Sequence, residues 1–209
     1  MLHVSRVSWE TETELWQAGY ARIAGVDEAG RGALAGPVAA AAVVFPPGTA
    51  IPKIDDSKRL TRDLREALFQ QIANAASGIS VGYSDAEVID DINIRQGTLL
   101  AMQAAVRGLP CLAEFLLIDG RDRLPSVLPQ RMVVRGDQTV GSIAAASIVA
   151  KVTRDHLMER LDRQFPGYGF AQHKGYGTTA HLRALQLLGP SLIHRKTFWG
   201  VTCKAGGRE

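Results

Sequence analysis

The sequence predicts an α/β domain built on a mixed sheet, and three observations lead to that fold class. Short apolar runs alternate along the chain with longer segments in which apolar residues recur every three or four positions. The 209 residues are 46% hydrophobic and 22% charged, a balance typical of globular domains rather than disordered or fibrous chains. No repeat or low-complexity linker interrupts the pattern, so we expect a single domain over residues 1–209.

Five segments are predicted to form strands. Residues 23–27 and 37–45 are apolar runs on either side of a glycine-rich corner, an arrangement typical of a hairpin. The other predicted strands cover residues 79–83, 115–118 and 132–134. Strands that alternate with helices in this order favour one mixed sheet.

Helices are predicted between the strands and after them. The first follows Thr61, a suitable N-cap, because apolar residues then recur every four positions. The others cover residues 94–106, residues 142–164 and a basic C-terminal helical segment at about 178–200. Residues 166–177 are predicted as a loop and residues 204–209 as a short flexible tail. In the long helix, one face carries the apolar residues Ile143, Ala146, Ala150, Leu157 and Leu161.

The composition excludes several classes of protein. The longest unbroken apolar run, residues 38–45, is too short to span a bilayer, so we expect no membrane partner. Cys111 and Cys203 form neither a metal-binding pair nor a disulfide framework, and we expect a cytoplasmic location. The net charge of +3 is only mildly basic, but seven of the eight charged residues from Arg163 onward are basic.

Two adjacent carboxylates end the first predicted strand. Asp27 and Glu28 point to opposite faces of a regular strand, so they converge only if the backbone departs from strand geometry there. The glycines that follow allow such a departure. The alternative is one buried acid paired with Arg31 and one solvated acid.

The same segment also fits a dinucleotide-binding pattern. Residues 30–35 match G-x-G-x-x-A, and Asp55 and Asp56 lie at about the expected distance downstream. However, the apolar run after Pro37 is typical of a strand rather than of a helix, and carboxylates next to the glycines would repel a pyrophosphate. Nicotinamide binding, followed by fluorescence, would distinguish this oxidoreductase alternative.

Two further acids have comparable positions. Asp119 ends an apolar run ahead of Gly120, and Asp137 precedes the long predicted helix. Either can simply cap a turn. Four carboxylates at strand ends, with no cysteine and no evident histidine partner, favour a hard cation such as Mg²⁺ or Mn²⁺ over zinc.

Five segments resemble the ribonuclease HII family, the bacterial type 2 ribonucleases H. The segments are GVDEAGRG at 25–32, DSKRL at 56–60, LLIDG at 116–120, GDQTVGSIAAASIVAKVTRD at 136–155 and HKGYGT at 173–178. They occur in the family's order, and together they are highly specific. Arg135, where lysine is common, keeps the charge. The resemblance implies a ribonuclease H-like fold, a five-stranded mixed sheet flanked by helices.

The resemblance also implies an activity. The enzyme would hydrolyse the RNA strand of RNA/DNA hybrids and cut at single ribonucleotides embedded in duplex DNA, leaving 3′-hydroxyl and 5′-phosphate ends. Asp27, Glu28, Asp119 and Asp137 would hold two divalent cations, Mg²⁺ or Mn²⁺, for in-line attack by water. The other alternative is a non-catalytic hybrid-binding module, but clustered carboxylates would only weaken its binding to phosphates.

Substrate recognition follows from the same resemblance. Gly30, Arg31 and Gly32 resemble the loop that reads the ribose 2′-hydroxyl, and Tyr176 matches a tyrosine that packs on the deoxyribose at an RNA–DNA junction. Tyr176 is otherwise an ordinary half-buried loop tyrosine.

The remaining candidate residues are charged or hydroxylic. Ser57 and Lys58 resemble phosphate contacts, with a turn and a solvated lysine as the alternative. Lys151 and Asp155 are four positions apart on a helix, so they form an ion pair or support the second cation's waters.

The histidines and the partners complete the expectations. His3, His156, His181 and His194 are interpreted as structural or exposed. Basic residues from Lys174 to Lys196 are expected to follow the duplex backbone. We expect a monomer whose partners are RNA/DNA hybrid and ribonucleotide-containing duplex DNA, with no protein partner evident.

Overall fold

A five-stranded sheet forms the centre of the computed structural model, which describes residues 7–55, 57–58 and 60–202. The strands are β1 Ile23–Ala29, β2 Val38–Val44, β3 Gly78–Ser84, β4 Phe115–Asp119 and β5 Gln130–Val133, in the order β3-β2-β1-β4-β5. β2 pairs antiparallel with β1 and β3, whereas β4 pairs parallel with β1 and β5. The prediction of a mixed five-stranded sheet is therefore confirmed.

In the described part of the chain, six α-helices surround the sheet. They are α1 Glu10–Gln17, α2 Arg62–Ala75, α3 Ala86–Arg107, α4 Gly141–Gln164, α5 Phe170–His173 and α6 Thr179–Leu188. The hydroxyl of Thr61 accepts a hydrogen bond from the backbone N–H of Leu64 at 3.3 Å, so the predicted N-cap of α2 is present. Among the described residues, no helix is long and apolar enough to cross a bilayer.

Four helices differ from the prediction, and one of them, α5, lies within residues 166–177, which were predicted as a loop. α1 was not predicted. α3 begins earlier than expected, and it contains a break at Asn93 (φ 69°), whose side chain accepts from the N–H groups of Arg95 and Gln96 and so caps the second half. α6 ends at Leu188, well before residue 200, because Gly189 and Pro190 follow it. The predicted tail, 204–209, and His3 lie outside the described residues.

The helices cover both faces of the sheet. Alternate residues of β2 face opposite sides: Ala41 and Val43 pack with α2 and α4, whereas Ala40 and Ala42 pack with α3. On β1, a Cβ atom on Gly25 would lie 2.2 Å from the backbone of Ser142 in α4. The small residues of the two central strands therefore let α4 lie directly against the sheet, beside the acids that end β1.

Candidate active site

The four predicted acids all lie at one edge of the sheet. Asp27 and Glu28 are in β1, Asp119 is the last residue of β4, and Asp137 lies in a 3₁₀ turn that precedes α4. β1 and β4 are parallel neighbours, so their carboxyl ends meet at that edge. Open α/β sheets commonly carry their sites outside the carboxyl ends of the strands.

Asp27 and Glu28 retain regular strand geometry. β1 pairs with β2 through Ala29, so the expected departure of the backbone is wrong. Asp27 is buried, and its Oδ1 atom accepts a hydrogen bond from the N–H of Glu28 at 2.7 Å. Glu28 lies 3.7 Å from the guanidinium of Arg31. The buried acid is thus not the one that pairs with Arg31, and both carboxylates lie near enough to Asp119 for its charge to raise their pKa values.

Asp119 is fixed by the turn that carries Asp137. Its Oδ1 atom accepts from the N–H of Gly136 at 2.7 Å and from the N–H of Asp137 at 3.4 Å. The turn begins at Arg135, which has a left-handed backbone (φ 58°). The two backbone N–H donors therefore hold the Asp119 carboxylate next to Asp137.

Burial, together with repulsion from neighbouring acids, raises the pKa values of Asp27, Glu28 and Asp119. Burial, and then the charges of Glu28 and Asp119, raise the pKa of Asp27 well above its usual range. The pKa of Glu28 is raised by burial and by Asp119, against the opposing effect of Arg31. Burial and the charge of Asp137 raise the pKa of Asp119. We refer to Asp27, Glu28, Asp119 and Asp137 together as the carboxylate site.

The donor chemistry of the carboxylate site fits a hard divalent cation. All its ligand atoms are carboxylate oxygens, and a bound cation would relieve their mutual repulsion. In the described residues, however, no three acidic, histidine or cysteine side chains are already arranged to hold a metal ion. Two protein cations contact the site instead: Lys58 lies 3.1 Å from Asp137, and Arg31 lies near Glu28. A cation bound at the carboxylate site would compete with these two contacts.

Ser57 occupies a different place from the one expected of a phosphate contact. It is buried, and its hydroxyl lies 2.9 Å from that of Ser147 in α4. Ser147 in turn hydrogen-bonds the side chain of Asp27. The structure thus favours a supporting role for Ser57 behind Asp27, whereas Lys58 is exposed beside the acids.

The loop of Gly30, Arg31 and Gly32 is shaped by a buried arginine. The Arg195 guanidinium donates to the carbonyls of Gly30 and Arg31, each at 2.8 Å, and to that of Gly36 at 2.9 and 3.1 Å. Arg195 is 0% exposed, so it cannot follow a duplex backbone as expected for the basic C-terminal segment. Burial, and then the charge of Arg154, lower its pKa to about 9, which leaves it protonated at neutral pH.

A second buried arginine joins that loop to Tyr176. Arg154 of α4, also 0% exposed, donates to the carbonyls of Ala35 (3.1 Å), Pro37 (2.9 Å) and Lys174 (2.9 Å). Its guanidinium carbon lies 5.6 Å from the centre of the Tyr176 ring. A Cβ atom at position 30 would lie 1.8 Å from the Nε atom of Arg154, so the loop accommodates only glycine at this position. We refer to Arg154 and Arg195 as the loop support.

Sequence reasoning missed both arginines. Arg154 does carry a signal, because its position continues the spacing of Ala150 and Leu157 on the predicted apolar face of the long helix. A charged residue on such a face is buried only when it is well paired. Arg195 carries no comparable local signal.

The remaining candidates lie beside Tyr176. Lys151 and Asp155 form an ion pair at 2.7 Å, and the Lys151 ammonium lies 5.8 Å from the centre of the Tyr176 ring. Tyr176 is half-exposed. Lys174 donates to Glu159 at 2.9 Å and is therefore engaged within the protein.

The 30–35 segment leads into β2 and not into a helix, which excludes the dinucleotide-binding alternative.

Comparison with known proteins agrees with this geometry. The family model for ribonuclease HII matches residues 24–201. The chain belongs to the ribonuclease HII family. Ribonuclease HII of Geobacter metallireducens is 54% identical over 196 residues, which cover 94% of this chain and 92% of that protein. Ribonuclease HII of Geobacter sulfurreducens is 53% identical over 193 residues, covering 92% and 89%. The chain is therefore an enzyme, a nuclease that hydrolyses RNA.

Solved structures with similar folds include other ribonucleases H. Ribonuclease H2 from Pyrococcus horikoshii superposes with a TM-score of 0.73 at 24% identity, covering 86% of this chain and 95% of that chain. Bst-RNase HIII in complex with Mn²⁺ gives a TM-score of 0.61 at 19% identity, covering 89% and 70%. The predicted ribonuclease H-like fold is confirmed.

Proposed function

We propose that this chain hydrolyses the RNA strand of RNA/DNA hybrids and also cuts at single ribonucleotides embedded in duplex DNA. One observation carries the proposal. Acids from two parallel strands and from the turn before α4 meet at one sheet edge, directly beside a glycine loop held by two buried arginines. Such an edge combines a site for phosphodiester chemistry with a rigid surface that can approach a sugar.

Asp27, Glu28, Asp119 and Asp137 would hold the divalent cations, Mg²⁺ or Mn²⁺ and two of them in the active complex. When bound, these cations supply positive charge that activates a water and stabilises the leaving oxygen. Burial and mutual repulsion raise the pKa values of Asp27, Glu28 and Asp119, and bound cations would relieve that repulsion. The known Mn²⁺ complex of an RNase HIII with this fold is consistent with such a site.

The glycine loop would read the ribose through its backbone. Arg195 holds the carbonyls of Gly30 and Arg31 toward the protein interior. In a planar trans peptide the N–H points opposite to the C=O, so the N–H groups of Arg31 and Gly32 point away from Arg195. Two backbone donors with no obstructing Cβ at Gly32 suit a 2′-hydroxyl, the group that distinguishes RNA from DNA.

Tyr176 would pack on the deoxyribose at an RNA–DNA junction. Its ring is half-exposed and lies over the cations of Lys151 and Arg154. Its loop is joined to the ribose-reading loop, because the carbonyl of Gly175 accepts from the N–H of Leu34 at 2.8 Å. The Lys151–Asp155 pair supports the Tyr176 side of the site.

The test compares two substrates of equal length, an RNA/DNA hybrid and a DNA duplex with one ribonucleotide. We expect cleavage of both, with 3′-hydroxyl and 5′-phosphate ends. An all-DNA duplex is the control and should remain intact. Cyclic phosphate ends would contradict the proposal, because they show attack by the 2′-hydroxyl rather than by water.

Metal removal tests the carboxylate site separately. Chelation should abolish cleavage, and Mg²⁺ or Mn²⁺ should restore it. Rescue by Zn²⁺ alone would contradict an all-oxygen site.

A further inference from the structure

A buried pair of histidines lies behind the loop that carries Tyr176. His181 in α6 and His194 in the turn after it are 0% and 1% exposed, and their Nε2 atoms are 3.0 Å apart. The rings of Tyr168 and Phe170 pack around them. The function proposed above uses neither imidazole, although two buried polar rings in direct contact are costly to place unless their hydrogen bonds are satisfied.

The partner of His194 fixes where its proton lies. The backbone N–H of Ser191 donates to the Nδ1 atom of His194 at 2.9 Å, so Nδ1 is an acceptor. A neutral His194 then carries its proton on Nε2 and donates it to the Nε2 atom of His181. His181 must consequently carry its own proton on Nδ1.

The opposite end of the pair gives the same proton order independently. The Nδ1 atom of His181 lies 3.0 Å from the carbonyl oxygen of Tyr176, and a carbonyl oxygen only accepts. A donor at Ser191 and an acceptor at Tyr176 are therefore connected through two neutral imidazoles in one consistent arrangement. An added proton would set one N–H against another at one of the links.

The surroundings keep both rings neutral. Burial, and then the neighbouring His181, lower the pKa of His194 to about 4, and burial lowers the pKa of His181. The titratable groups that face the pair are His173, whose ring stacks on His181 at 4.4 Å, Tyr168, and the adjacent Arg195. Across the described part of the chain, no carboxylate forms an ion pair with either imidazole that would favour protonation.

We propose that the His181–His194 pair is a positioning device for Tyr176, and thereby a determinant of how well the enzyme recognises an RNA–DNA junction. The inference rests on the function proposed for Tyr176. Two backbone bonds of Tyr176, to His173 and from Thr178, are local to its loop. The Nδ1–H of His181 instead ties that loop to α6 and, through His194, to the turn beyond it.

Two substitutions of His181 separate this role from mere packing. The side-chain amide of His181→Asn places an N–H close to the position of Nδ1, so it can still donate to the Tyr176 carbonyl. The longer side chain of His181→Gln places its amide near Nε2 and loses that donor. His156→Asn is the matched control, because His156 is exposed on α4 and bonds Glu66 at 2.8 Å.

The measured quantity is the ratio of cleavage rates on the single-ribonucleotide duplex and on the all-RNA hybrid. We expect His181→Gln to lower this ratio by about three- to tenfold, the range expected for one lost hydrogen bond, and His181→Asn to restore most of it. A ratio in His181→Gln equal to that of His156→Asn would overturn the inference.

Tyr176→Ala, measured in the same series, distinguishes the positioning role of the histidine pair from the junction role of Tyr176. If Tyr176→Ala lowers the ratio and His181→Gln does not, the positioning role is wrong and the proposed function stands. If Tyr176→Ala leaves the ratio unchanged, the junction role of Tyr176 is wrong, and the inference is wrong with it.

The proton order can be measured in the unmodified protein. Imidazole ¹⁵N spectra at pH 6 to 7 should show His181 protonated on Nδ1 only and His194 on Nε2 only. A charged ring, or the opposite tautomer at either histidine, would overturn the inference even if every variant folded poorly.

Discussion

The carboxylate site and the loop support lie side by side, but they differ in how their buried charges are compensated. In the carboxylate site, burial and the repulsion of neighbouring acids raise the pKa values of Asp27, Glu28 and Asp119. In the loop support, Arg154 and Arg195 are completely buried cations, yet their guanidinium groups donate to backbone carbonyls at distances of 2.8 to 3.1 Å. The loop support is complete within the chain itself, whereas the proposed function assigns cations to the carboxylate site.

The difference matches the two tasks of the proposed site, which are cation binding and recognition of the ribose. A region that must bind cations gains from unrelieved repulsion, because the ligand removes it. A region that must distinguish a hydroxyl from a hydrogen gains from rigidity, because a donor displaced by 1 Å loses most of its discrimination. The comparison therefore predicts that substitutions in the carboxylate site reduce activity and spare stability, and that substitutions in the loop support reduce stability first.

The largest effect is expected from Asp27→Asn. Loss of this carboxylate should reduce single-turnover cleavage by on the order of 10³-fold, the size of effect found for a key electrostatic group. Hybrid binding should remain measurable, because the change removes an anion that faces phosphate. Full activity in the variant would refute the assignment of Asp27 to the site.

Stability provides the second half of that test. The folded-state pKa of Asp27 is raised, so its ionised form destabilises the fold at neutral pH, and this cost is lost as the pH falls through the folded-state value. Metal-free Asp27→Asn should consequently melt higher than the parent at pH 7 by a few degrees, and the difference should shrink toward pH 4. Asp91→Asn, at an exposed position in α3, is the control and should change neither property.

How well each region could be predicted from the sequence depends on how far apart along the chain its contacting residues lie. The carboxylate site was predictable because each acid follows its own strand or precedes its own helix, and parallel strands bring their ends together. The carbonyls around Arg154 belong to Ala35, Pro37 and Lys174, which are 119, 117 and 20 positions away. No local pattern identifies partners at such separations.

The same reason explains why α1 was not anticipated. Its buried Glu12 accepts from the N–H of Ser142 at 2.6 Å, 130 positions away, and so caps the first turn of α4 beside the acids. In the sequence, Glu12 is one of several acids in a polar segment, which gave no reason to expect burial. The break at Asn93 is local by contrast, because its side chain accepts from the N–H groups of Arg95 and Gln96, two and three positions ahead.

A smaller effect on activity, with a large effect on stability, is expected from Arg195→Met. The carbonyls of Gly30, Arg31 and Gly36 would each lose a buried donor. At about 1 kcal/mol or more for each unpaired group, we expect a loss of roughly 3 kcal/mol, or about 6–12 °C in Tm. Thermal unfolding of the metal-free protein measures this directly.

Arg131→Met is the matched control for that substitution. Arg131 lies on β5 with a side chain 48% exposed and only a 3.6 Å contact to Glu14, so it should cost less than about 1 kcal/mol. Equal losses in Arg195→Met and Arg131→Met would show that the loop does not depend on its buried guanidinium.

The smallest effect is expected where a cation of the protein itself contacts the carboxylate site. Lys58 is 75% exposed and pairs with Asp137 at 3.1 Å, and its charge opposes the rise in the pKa values of Glu28 and Asp119. Because Lys58 and a divalent cation would compete for the same carboxylate, Lys58→Ala should lower the Mg²⁺ concentration for half-maximal cleavage. An exposed ion pair worth up to ~1 kcal/mol corresponds to about a two- to fivefold change.

The acid limb of the pH–rate profile of Lys58→Ala should move to higher pH, since Glu28 and Asp119 lose a favourable charge. Lys53→Ala, on an exposed turn nearby in sequence, should alter neither quantity, and an unchanged Mg²⁺ requirement in Lys58→Ala would show that Lys58 does not occupy cation-binding space.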